Sequence, residues 1–212
     1  MEQEELRTQE FESNPKTGTL AIDLGNSTTV VAFKSEQDPT VQLLHLPPIT
    51  RLEGEIPSLV WTSKDIPPYQ LIGNEISKLG ASDEKFSNII SDFKRWICSP
   101  DRSISQNWVV SPEEAGEILI QGIWKNLPNQ LKVKRLVLTA PVDTYKEYRE
   151  WLVKVCSDLQ VEEIALVDEP TAAAMGAGLP HGSKLLVVDI GGSTIDMSLV
   201  ELEGGEGKAQ PV

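Results

Sequence analysis

Ala21-Ile22-Asp23-Leu24-Gly25-Asn26-Ser27-Thr28 closes an apolar run near the start of the chain, and Val188-Asp189-Ile190-Gly191-Gly192-Ser193-Thr194 closes another near its end. Both stretches follow one order: β-forming residues, an aspartate, a turn of glycine with small polar residues, then a second apolar strand. Such a turn presents backbone N–H groups and hydroxyls that surround a phosphate, and glycine admits the close approach and positive φ this requires. The neighbouring aspartate repels a phosphate unless a hydrated cation stands between them, so the pair implies Mg²⁺ together with a nucleotide. One Asp-x-Gly turn alone is ordinary hairpin chemistry. Two of them, each set between strands, read as two phosphate clamps.

The rest of the composition narrows the class. The chain has 212 residues, of which 40% are hydrophobic, enough for a core in one or two domains. Its 32 acidic and 19 basic residues give a net charge of -13, which disfavours nonspecific nucleic-acid binding and adsorption to anionic membranes, so neither partner is expected. No apolar run has the length of a membrane span, and Met1-Glu2-Gln3-Glu4-Glu5 is acidic where a signal peptide is basic, which places the protein in the cytosol. Cys98 and Cys156 lack a partner motif and read as reduced thiols, and His45 and His181 belong to no metal or triad pattern.

Residues 1–16 are polar and aperiodic and read as a flexible acidic tail. Thr19–Leu24, Thr28–Lys34 and Val41–Leu46 predict a strand meander. Between about 47 and 108 the composition shifts, with prolines at 57, 67, 68 and 100, a short strand at Ser58–Thr62 and a helix over Glu84–Ile97, so this stretch reads as an inserted subdomain. Ser111-Pro112-Glu113-Glu114 has the cap, first-turn proline and third-position glutamate of a helix running to about Leu127. Strand and helix then alternate: Lys134–Thr139, Thr144–Leu159, Glu163–Val167 and Glu169–Ala177, before a hairpin of Lys184–Ile190 and Thr194–Leu202. Lys208–Val212 starts like a strand and stops, which suggests a fragment.

These residues resemble the heat-shock protein 70 chaperones of the DnaK type, members of the actin-like ATPase superfamily. Ala21–Thr28 is similar to their first phosphate motif, Val167–Ala174 to their connecting helix and Val188–Asp196 to their second phosphate motif. The likeness runs from about Thr19 to Leu202 and includes Ile56-Pro57-Ser58-Leu59-Val60, Ile72-Gly73-Asn74, Phe93-Lys94-Arg95 and Leu138-Thr139-Ala140-Pro141. It implies an α/β actin-like (ribonuclease H-like) fold, with lobe I over 17–182 and the truncated opening hairpin of lobe II over 183–212. It further implies ATP or ADP with Mg²⁺, ATP hydrolysis coupled to protein folding, and client proteins and co-chaperones as partners of the complete protein. Oligomeric state stays open.

Under the same resemblance Asp23 and Asp189 orient the water shell of Mg²⁺, while Gly25, Asn26, Ser27 and Thr28 face Gly191, Gly192, Ser193 and Thr194 across the phosphates. Asp196 supports the second clamp. Glu169 takes the place of the acidic residue near the attacking water, although a carboxylate at a helix start is also favoured by the macrodipole alone. Pro141 and Arg149 match the pair that relays nucleotide state. The family's catalytic lysine falls four residues after the glycine matched by Gly73, where this chain has Ser77, so Lys78 is the candidate substitute. Asn26 and Ser193 also depart from the usual clamp residues. As these 212 residues alone, weak nucleotide binding or none is expected.

Three other readings compete. Ala172-Ala173-Ala174-Met175-Gly176-Ala177-Gly178-Leu179-Pro180 is also similar to the bacterial rod-shape cytoskeletal proteins, in which nucleotide gates polymerisation. A sugar kinase shares related clamps, but no acidic base is placed for a sugar hydroxyl. A scaffold that has lost turnover accords with Ser77, and the retained Asp23, Glu169, Asp189 and Asp196 oppose it.

Overall fold

Alternate residues of the first two strands are buried, as the pleat dictates for a sheet with a packed face. Leu20 and Ile22 of β1 (Lys16–Asp23) and Thr29, Val31 and Phe33 of β2 (Thr28–Ser35) enter the core. The computed structural model describes residues 15–65, 68–78, 88–100, 109–142, 146–192, 195–202 and 209–211. After β2 come β3 (Val41–Leu43), β4 (Glu55–Pro57), β5 (Val60–Thr62), β6 (Gln70–Ile72) and the short helix α1 (Asn74–Lys78). A 3-10 turn at Lys94–Trp96 precedes α2 (Pro112–Lys125), β7 (Leu131–Ala140), α3 (Lys146–Ser157), β8 (Glu163–Asp168) and α4 (Glu169–Gly176). The described elements end with β9 (Lys184–Ile190), β10 (Ile195–Leu202) and β11 (Ala209–Pro211).

The larger sheet has the order β3-β2-β1-β7-β8, with β4 also pairing with β2. Its β1–β2–β3 half is an antiparallel meander, and its β1–β7–β8 half is parallel. Parallel neighbours need a crossover, which α3 supplies between β7 and β8. Leu20, Ile22, Leu136 and Leu138 from the two central strands join Leu119, Ile120 and Ile123 of α2 and Leu152 of α3 in one core. A second sheet, β11-β10-β9, packs Val200 and Leu202 against Ala174 of α4. Its other face leaves Leu186, Val188 and Ile190 exposed opposite Leu199, Met197 and Ile195, their cross-strand partners. No described helix is long and apolar enough to cross a membrane. This mixed α/β architecture accords with the actin-like ATPase fold.

Local signals account for most boundaries. Ser111 Oγ accepts from the Glu114 amide at 3.2 Å, and the Glu114 carboxylate accepts from the Ser111 amide at 2.8 Å, so the cap is reciprocal as its sequence predicts. Ser111→Ala is expected to lower the unfolding free energy by about 1 kcal/mol in urea titration, since the first turn loses an acceptor for an orphan N–H; an unchanged midpoint counts against the cap.

Three expectations change. The helix read over Glu84–Ile97 is not present in its described part, 88–97, apart from the 3-10 turn. Asp92 and Cys98 both have positive φ, incompatible with a continuous helix, and Ile90 instead exchanges backbone hydrogen bonds with Val60. The third strand ends at Leu43, short of Leu46. A strand does form near the end of the chain, with Ala209–Pro211 antiparallel to Val200–Leu202. Residues 1–14 of the expected tail lie outside the described residues, and Lys16, its last residue, already opens β1.

Candidate functional site

The first turn is held in shape from below. Leu24, buried to 1%, anchors its start, and Ser58, just past β4, staples the rest. Ser58 Oγ donates to the Gly25 carbonyl at 2.7 Å, the Ser58 amide donates to the Ser27 carbonyl at 2.9 Å, and the two hydroxyls of Ser58 and Thr29 lie 3.0 Å apart. Gly25 is required here because a Cβ would stand 2.1 Å from the Thr28 carbonyl oxygen. The Asn26 amide nitrogen donates to Asp92, while its carbonyl oxygen is buried without a hydrogen-bond partner. Asp23, at the end of β1, accepts from the Thr139 hydroxyl on the neighbouring strand β7.

The second turn meets the first. A Cβ on Gly192 would stand 2.1 Å from Ser27 Oγ, so the two turns approach closely here and a side chain at 192 would require Ser27 to move. Asp189 and Asp196 are directly opposite each other in the β9–β10 ladder, both exposed. Ser193 and Thr194 lie outside the described residues. Gly191 is exposed, and Ser27 and Thr28 are exposed and half-buried respectively.

Glu169 opens α4 between these turns. Asp168 has the N-cap position yet makes no side-chain cap, because its carboxylate accepts from Arg149 of α3. The Glu169 side chain is 21% exposed and Lys94 Nζ donates to its Oε1 at 2.6 Å, with Lys94 itself 13% exposed. Burial pushes the Glu169 carboxyl above the usual carboxylate range, Lys94 pulls it back, and Asp23 and Asp189 add to the rise. Both aspartates from the two turns are therefore within electrostatic reach of Glu169. Tyr148, on α3, is buried with its hydroxyl unpartnered, and burial with Glu169 and Asp23 nearby raises its pKa so that it stays a neutral donor.

The structure thus brings Asp23, Gly25, Asn26, Ser27, Glu169, Asp189 and Gly192 into one region. Lys78, the candidate substitute for the family's lysine, ends α1 on the exposed surface, and the described cation on Glu169 is Lys94. Arg149 reaches Asp168, and Pro141 follows directly on β7, whose Thr139 holds Asp23. Ser58, Asp92, Lys94, Thr139 and Tyr148 are contacts that motif reading did not assign. Ser58, Lys94 and Thr139 lay within segments already read as distinctive, but nothing in their spacing tells what they touch.

A carboxylate cluster beside two glycine turns suits a polyanion bridged by a hydrated cation. At Gly25 and Gly192 the backbone lies too close to Thr28 and Ser27 to take a Cβ without displacement, and the buried Asn26 oxygen is an acceptor without a protein partner.

Residues 105–205 match the family model described as MreB/Mbl protein. The chaperone protein DnaK of Mycoplasma mobile is 30% identical over 197 residues, covering 90% of this chain and 31% of that protein. That of Ureaplasma parvum is 29% identical over 195 residues, covering 88% and 30%. That of Thermosipho melanesiensis is 27% identical over 207 residues, covering 91% and 32%. The chain spans about a third of the length of these curated relatives.

Proposed function

We propose that this chain, a relative of the heat-shock protein 70 (DnaK-type) chaperones within the actin-like ATPase superfamily, supplies the phosphate-binding region of a protein that binds ATP or ADP with Mg²⁺ and hydrolyses ATP, and binds nucleotide weakly by itself. In the protein to which these residues contribute, that turnover drives the handling of unfolded client proteins with co-chaperones. The observation that carries the reading is the meeting of the two turns, Ser27 Oγ against Gly192, with Asp23, Asp189 and Glu169 grouped around them.

The residues divide the work as follows. The backbone N–H groups and hydroxyls of Gly25–Thr28 and Gly191–Thr194 bind phosphate oxygens from two sides. Asp23, oriented by Thr139, and Asp189, with Asp196 opposite it in the ladder, hold the hydration shell of Mg²⁺. The metal supplies positive charge that offsets the phosphates. Glu169 accepts a proton from the attacking water when ionised. Arg149, through Asp168, joins α3 to the start of the helix that carries Glu169, and with Pro141 it forms the route by which nucleotide state reaches a second domain. In this layout residues 17–182 are lobe I, with the insertion near 47–108, and 183–212 are the start of lobe II.

Thermal unfolding tests the reading. With Mg-ATP at about ten times its Kd the complete protein is expected to gain roughly 1.4 kcal/mol, and Asp189→Ala to abolish the gain without unfolding the protein. No nucleotide-dependent shift of the complete protein at millimolar Mg-ATP, or an equal shift in the variant, overturns it. The rod-shape cytoskeletal alternative has the MreB/Mbl match over 105–205 in its favour. The DnaK likeness extends over about nine-tenths of the chain and favours the chaperone reading, and Mg-ATP-dependent sedimentation separates the two.

A further inference from the structure

The segment Asp92-Phe93-Lys94-Arg95 touches the first turn and the start of α4 together. Asp92, at φ 56°, accepts from the Asn26 amide, and Lys94, two residues on, is paired with Glu169. Phe93 between them is fully buried in the main core, and Arg95 reaches back to Asp92 at 3.6 Å and lies over the Trp96 ring. A rigid apolar anchor therefore fixes two polar groups that point to different parts of one site.

We propose that Lys94, not Lys78, is the residue that positions Glu169, so that in this chain the lysine of the site comes from the 3-10 turn at Lys94–Trp96 instead of from α1. The inference rests on the nucleotide reading above for its consequence and on the ion pair alone for its geometry. Glu169 lies within electrostatic reach of carboxylates from two other elements, Asp23 of β1 and Asp189 of β9, and of the neutral hydroxyl of Tyr148 on α3. Lys94 is the described cation among these groups. Without it, a half-buried carboxylate beside two others takes up a proton, and a protonated Glu169 cannot receive one from water. Lys78, exposed at the end of a five-residue helix, forms no ion pair with Glu169 among the described residues.

The test follows the Glu169 carboxyl carbon by NMR during a pH titration of the nucleotide-free chain, with parallel turnover profiles. Lys94→Met keeps the length of the side chain and removes its charge; the Glu169 midpoint is expected to rise by at least about one pH unit, the size of shift that an opposite charge at this range produces. The acid limb of the turnover profile is expected to move up by the same interval, with turnover on that limb falling about tenfold per pH unit of the shift and Mg-ATP binding kept. Lys94→Arg is expected to restore both. An unmoved Glu169 midpoint in a folded Lys94→Met protein, or the same rise in Lys78→Met, overturns the proposal. A shifted midpoint in a complete protein that Mg-ATP does not stabilise overturns the nucleotide reading and the catalytic meaning of the pair with it, while the ion pair itself stands.

Discussion

Glu169→Gln is expected to lower ATP turnover by about two to four orders of magnitude, the usual contribution of a positioned general base, while Mg-ATP binding persists. Glutamine keeps the shape of the side chain at the start of α4 and still accepts from Lys94, so the fold has little reason to change. Removing the charge also relieves repulsion with Asp23 and Asp189, which favours binding of a polyanion bridged by a cation. The pH dependence has a definite sign. Burial and the two aspartates raise the Glu169 pKa, so the ionised, proton-accepting form appears only as pH climbs through that raised value, and the wild-type rate rises with it. The variant loses this limb. Single-turnover assays across pH, set beside nucleotide titration, read both effects. Unchanged turnover assigns Glu169 to its other role, a carboxylate at a helix start favoured by the macrodipole.

Phe93→Ala is expected to cost about 3–5 kcal/mol of stability, because the ring is fully buried and its removal leaves a cavity where the insertion meets the main core. Against a total of roughly 5–15 kcal/mol for a domain, that is a large share. The effect reaches beyond stability, since Asp92 and Lys94 are positioned by the anchor between them. Urea denaturation measures the loss. In the surviving folded fraction, Glu169 should titrate as it does in Lys94→Met. A loss below 1 kcal/mol shows that the neighbouring strands hold this segment without the ring.

Elements with local signals were legible in the sequence. The helix read from Ser111 to about Leu127 is found at Pro112–Lys125, and its reciprocal cap is made by the residues that announced it. The strand and helix alternation from Lys134 onward is likewise present, because apolar periodicity and turn residues fix each element within a few positions. The stretch around Ile89, Ile90, Phe93 and Ile97 misled for the same reason. Its spacing imitates a helical face, yet Ile90 is satisfied by a bridge to Val60 far from it in sequence, and a left-handed Asp92 follows. The two turns and their aspartates were readable as motifs. Their contacts were not: Ser58 beneath Gly25, Thr139 on Asp23 and Lys94 on Glu169 join residues 33, 116 and 75 positions apart. Such meetings are products of tertiary packing, and a motif reading restricted to spacing after Gly73 led to Lys78.

The parallel pairing of β1 with β7 has a consequence for synthesis. Lys16 finds Leu131, and Ile22 finds Leu138, across more than a hundred intervening residues. On a ribosome adding roughly 5–20 residues per second, β1 and β2 emerge several seconds or more before β7, and the hydroxyl that orients Asp23 arrives with that later strand. During this interval β1 has one edge paired to β2 and the other unpaired, a template for other chains that Lys16 at its start helps to guard. The nascent chain therefore spends its most adhesive period with the first phosphate turn already written and its neighbouring strand not yet made.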